Sequence, residues 1–139
     1  MRVVLDTNQL VAALAKPPEL ATFLMAWESA RFHVIASESV LLEYARVLEY
    51  SDVKAIIYPE LRFAFNSHLR DDIQVIAIAE IPRLCRDPDD DKVIATAIYG
   101  LADYLLTEDR DLYDQPVLEL LGDFGVRVLT TNEFMPILG

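Results

Sequence analysis

Five short apolar runs, separated by longer amphipathic stretches, constrain this chain more than any other feature. They are RVVL at 2–5, FHVIA at 32–36, IQVIAI at 73–78, YLLT at 104–107 and VRVLT at 126–130. Several are continuously apolar rather than alternating, the pattern of strands covered by helices on both faces. Between the runs the period changes: Leu41, Tyr44, Ala45 and Leu48 recur at i, i+3, i+4 and i+7, a core-facing helical stripe. Strand and helix patterns in alternation predict an α/β domain with a largely parallel sheet. Helices are expected over 9–15, 19–29, 38–50, 51–58 and 59–70, with Pro17 and Pro18 dividing the first pair and Pro59 opening the last. No repeat or linker interrupts the pattern, so a single domain over 1–139 is expected.

The segment RDPDDDKVI at 86–94 then poses a charge problem, because Asp87, Asp89, Asp90 and Asp91 place four carboxylates in five positions. Asp87 before Pro88 reads as a helix cap and first helical residue, and Val93, Ile94, Ala97, Ile98 and Leu101 continue as the apolar stripe. Asp90 extends that stripe past the helix start, towards the end of the sheet; Asp91 fits nearly as well and Asp89 does not. The helix dipole favours each such acid by roughly 0.3–1 kcal/mol. Two carboxylates about 5 Å apart repel by roughly 3 kcal/mol at an effective dielectric near 20. Either the acids spread into solvent or they share a cation.

Two strand ends carry acids as well. LDTN puts Asp6 at the carboxyl end of the first run, the edge where parallel sheets collect ligands, although an Asp there also suits a helix cap. LLTEDRDL puts Thr107, Glu108, Asp109 and Asp111 at the equivalent end of the fourth. Glu43 lies with Ser39, Arg46 and Tyr50 on the face opposite the Leu41 stripe, where it is either an exposed glutamate paired with Arg46 or part of a cleft wall. If these elements are neighbours, the acids meet in one crevice suited to a hard cation.

The net charge of −11 works against nucleic-acid binding, unless divalent cations reverse the potential locally or a basic partner shares the surface. Lys92, Arg110 and Arg86 either contact phosphates or pair with adjacent acids. Cys85, the single cysteine, forms no internal disulfide and belongs to no zinc pattern. With no apolar run of membrane-spanning length, a cytoplasmic protein with no membrane association is expected. His33 and His68 stand apart from the acidic motifs.

With VVLDTN, ASESVLLEYARVL, CRDPDDDKVIATA, ADYLLTEDRDL and GVRVLTTNEF in this order over nearly the whole chain, the sequence resembles the PIN-domain family. It looks most like the VapC-like branch, the toxin ribonucleases of toxin–antitoxin pairs. The resemblance implies a three-layer α/β/α sandwich on a mainly parallel five-stranded sheet. It also implies a Mg²⁺- or Mn²⁺-dependent endoribonuclease whose catalytic, metal-binding acids fall on Asp6, Glu43, Asp90 and Asp109. Asp90 is preferred to Asp91 because the family's acid stands seven residues before the small residue matched by Ala97. Asn8, Asp91, Thr107 and Asp111 fall at supporting positions, and Lys92 and Arg110 at candidate substrate contacts. An RNA substrate, a homodimer and an inhibiting antitoxin with a basic segment are the implied partners. Competing readings keep the metal site but act on DNA or structured RNA, or keep the fold as an inactive binding module. A phosphoryl-transfer role for Asp6 fits less well, since DTNQL lacks a second aspartate two positions on.

Overall fold

Each apolar run becomes a strand. A computed structural model describes residues 1–15, 21–67 and 69–139, with β1 at Arg2–Leu5, β2 at His33–Ser37, β3 at Gln74–Ile76, β4 at Tyr104–Leu106 and β5 at Arg127–Leu129. They form one sheet in the order β3-β2-β1-β4-β5, every neighbouring pair parallel. Central β1 explains its unbroken apolar sequence: Val3, Val4 and Leu5 are wholly buried between two helix layers.

Among the described residues the helices are α1 (Thr7–Leu14), α2 (Ala21–Glu28), α3 (Glu38–Val47), α4 (Ser51–Ile56), α5 (Pro59–Ser67), α6 (Pro88–Tyr99), α7 (Gln115–Asp123) and α8 (Thr131–Leu138). The chain builds outward from β1 through β2 to β3, then crosses back to β4 and β5. With right-handed crossovers that reversal puts α1 to α3 on one face and α6 and α7 on the other. The packing sets α1 against α2 and α6 against α7, while α3 touches both α1 and α6. α8 closes the first face, where Phe134 meets Phe23 of α2 and Phe32 in edge-on ring contacts. The result is the expected α/β/α sandwich. Its topological reversal lies between β1 and β4, whose carboxyl ends therefore open a crevice.

The structure departs from the sequence reading in several details, among them α3 ending at Val47 rather than at residue 50. The helix expected over 59–70 stops at Ser67, and Leu69–Asp72 forms a short 3-10 turn. The long run at 73–78 supplies only three strand residues, Gln74–Ile76, on an edge strand with one neighbour. Leu101 does not continue the α6 stripe: the helix ends at Tyr99, and Leu101 turns to φ 54° and is 73% exposed. Bonds from the Ala102 amide to the Ala97 carbonyl and from the Leu101 amide to the Ile98 carbonyl make this a Schellman ending, with leucine in the left-handed position usually held by glycine. Pro17 and Pro18, the expected helix start at 19–20, and His68 lie outside the described residues. His33 opens β2 with an exposed side chain.

Candidate metal centre

The crevice at the reversal point is built from four pieces of backbone. β1 delivers Asp6, whose amide extends the ladder to the Leu106 carbonyl at 3.0 Å. Asp6 also caps α1, its Oδ1 accepting the Thr7 amide at 2.8 Å, while Oδ2 accepts the Thr107 hydroxyl from the end of β4, also at 2.8 Å. The cap thus uses one oxygen of a carboxylate that the neighbouring strand holds by the other. Thr107 extends the coupling: its Oγ1 accepts the Asp109 amide at 3.0 Å, and Asp109 Oδ1 accepts the Asp111 amide at 2.9 Å.

The third piece is the start of α6. Asp87 caps it by accepting the Asp89 amide at 2.9 Å, with Pro88 in the first turn. This directs Asp90 inward, where it is only 6% exposed. From α3, Glu43 completes the wall, its Oε2 accepting the Thr7 hydroxyl while Arg46 stays 3.9 Å from Oε1. Thr7 therefore donates to two acids, by its amide to Asp6 and by its hydroxyl to Glu43.

Asp6, Glu43, Asp90 and Asp109 all line one cavity of about 160 Å³, together with Asn8 and with Asp87 and Asp89. No lysine or arginine is among its lining residues. Overlapping it, Asp90, Asp109 and Asp111 each bring a carboxylate oxygen within 4.8 Å of the other two. Burial, followed by the hydrogen bond and charge of Asp109 and the charges of Asp6 and Asp87, pushes the Asp90 carboxyl up to about 8. Asp6 and Glu43 are also raised, in each case first by burial, against the hydrogen bonds from Thr107 and Thr7 that pull them down. Acids so raised by burial and by one another fit an oxygen-preferring divalent cation, which removes the repulsion that the chain leaves uncompensated.

Other expected residues lie differently. Asp91 turns away from the crevice: its Oδ1 accepts the Leu84 and Cys85 amides at 3.0 and 2.9 Å, fastening the segment before α6. Asp111 joins the three-carboxylate group but also pairs with Arg86 at 2.9 Å. Lys92 pairs with Asp89 at 3.3 Å, and Arg110 is exposed on a 3-10 turn over Arg110–Tyr113. Cys85 is half-buried, its thiol pushed up to about 12 by burial and the Asp91 carboxylate. Thr7 was not singled out by the sequence, and Asp89 lines the crevice although its helical position points off the Asp90 stripe. Only the roll of α6 against the sheet decides the second.

The fold and acidic crevice define a class, and the sequence comparison agrees with them. The family model described as PIN domain matches residues 2–111, and the chain belongs to the PIN-domain family, whose members are generally metal-dependent nucleases. No match was found among curated proteins. Among the described residues no helix is long and apolar enough to cross a membrane.

Proposed function

We propose that this protein is a Mg²⁺- or Mn²⁺-dependent endoribonuclease and the toxin of a toxin–antitoxin pair, held in the cytoplasm. The observation that carries the nuclease reading is the convergence of Asp6, Glu43, Asp90 and Asp109 on one crevice without a cationic side chain. These four would hold the ion, with Asp111 beside them and Asn8 at the opening. A bound ion supplies an acidified water and charge stabilisation at the phosphate. Thr7 donates to the carboxylates of Asp6 and Glu43, and Thr107 donates to the Asp6 carboxylate while its hydroxyl oxygen accepts the Asp109 amide. In the hydrolysis, water oxygen bonds to phosphorus as the bond to the leaving oxygen breaks, giving a phosphomonoester and a free hydroxyl.

The finer parts rest on the resemblance to toxin members of the family. A net charge of −11 suits an antitoxin with a basic segment and leaves modest RNA affinity outside the metal site, and a homodimer is the expected assembly. The test is cleavage of single-stranded RNA and DNA by purified protein with Mg²⁺, Mn²⁺ or chelator. The expected result is metal-dependent RNA cleavage, abolished in folded Asp6→Asn and Asp90→Asn. Equal cleavage by the variants would place the activity elsewhere, and tight metal binding without cleavage would make the domain a binding module.

A further inference from the structure

A groove of about 660 Å³ opens at the same end of the sheet as the acidic crevice. Its walls are apolar, made by Leu42 on α3, Val75 on β3 and Ile78 and Ile81 beyond it. Leu42, Val75 and Ile81 are 60%, 55% and 45% exposed. Groove and crevice share a partition. Lys92 lines the groove, and its Nζ reaches Asp89, which lines the crevice, at 3.3 Å. α3 forms the other part: Ser39 faces the groove, and Glu43, one turn later, faces the crevice.

We infer that the groove receives a nucleobase of a single-stranded substrate, beside the phosphate bound at the metal centre, with Lys92 on the adjoining phosphate. The inference rests on the nuclease reading. A single strand alternates charged phosphates with bases that have apolar faces and polar edges, and its bases are free to turn out of a stack. Leu42, Val75 and Ile81 offer a surface for the face of a base, and Glu38 and Ser39, whose hydroxyl also meets that of Ser37 at 3.2 Å, add polar groups to the lining for its edge. The lysine between apolar space and carboxylate cluster matches the same alternation, in a chain whose net charge repels phosphate elsewhere.

The test measures binding rather than turnover, by fluorescence anisotropy of a labelled single-stranded RNA with Ca²⁺ in place of Mg²⁺. One abasic position is moved along the oligonucleotide. For the wild type, one position should weaken binding about tenfold, in the range expected for losing one base contact. Leu42→Ser and Ile81→Ser, both exposed and both uncharged, should weaken binding of the intact strand by a similar factor and erase the abasic difference. No sensitive abasic position, or variants that keep the full difference, would overturn the inference. So would an altered oligomeric mass of Ile81→Ser with unchanged RNA binding, which would make the groove a protein contact. Cleavage without base dependence sinks the groove alone, whereas base-dependent binding without metal-dependent cleavage sinks only the nuclease reading.

Discussion

The helices α6 and α8 both begin with acidic first turns and use the acid in opposite ways. At the start of α8, Thr130 and Glu133 exchange hydrogen bonds, the Thr130 amide to the Glu133 carboxylate at 2.9 Å and the Glu133 amide to the Thr130 hydroxyl at 3.1 Å. Those bonds hold Glu133 below the usual carboxylate range. At the start of α6, Asp89, Asp90 and Asp91 follow the Asp87 cap, and Asp90 is driven the other way by burial and by Asp109. An acid met by donors of its own chain stabilises the fold, while an acid met by other acids is a liability until a cation arrives.

The contrast is sharpest where charge is removed. Asp90→Asn should lower metal-dependent cleavage by roughly a thousandfold, the scale of losing a central electrostatic group, and should raise the melting temperature measured in chelator. A lower melting temperature in chelator would mean that Asp90 stabilises the metal-free fold and would break the comparison. Next comes pH. Because the folded Asp90 pKa lies above its unfolded value, the folded state holds more protons between about 3.8 and about 8. The stability of the metal-free protein should therefore fall as pH rises through that window, and Asp90→Asn should flatten the fall. Mn²⁺ should bind more tightly as pH rises and release protons, seen by calorimetry in buffers of different ionisation enthalpy.

A third effect isolates position from charge. Thr7→Val removes the hydroxyl that holds Glu43 and should cost about tenfold in kcat/KM, the scale of one hydrogen bond to a charged group, while Thr7→Ser restores it. Loss in both variants, with a lowered melting temperature, would make Thr7 a packing residue only. The smallest effect belongs to α8: Thr130→Ala should cost about 1 kcal/mol in urea denaturation, as for a lost cap, with no change in cleavage.

Periodicity made the strands and the apolar faces of α3 and α6 readable, because a core imposes its spacing on the sequence. It also put Asp6 and Asp109 at the same edge, since both follow apolar runs. It did not distinguish a cap from a ligand at Asp6, which is held in both senses through different oxygens. It left Glu43 ambiguous because a cleft wall and a solvated face carry the same residue types. Asp89, Asp90 and Asp91 follow one another around a helix, so their destinations differ by about 100° each. One lines the crevice lip, one enters it and one fastens the preceding segment. The early turn at Leu101 was hidden because an apolar residue occupies a position where glycine would have announced the helix end.

The other end of α6 is fastened against the sheet. There Gly100 lies so close to β2 that an added Cβ would stand 2.4 Å from Ile35 Cδ1, and its carbonyl takes two bonds from the Arg2 guanidinium, at 2.9 and 2.7 Å. Twelve residues span the helix, so this anchorage lies about 18 Å, at the usual rise, from the acids at its start. A methyl group at residue 100 would press on the tip of the Ile35 side chain and stand 2.8 Å from the Thr96 carbonyl oxygen, so its cost would fall on the packing of the helix tail.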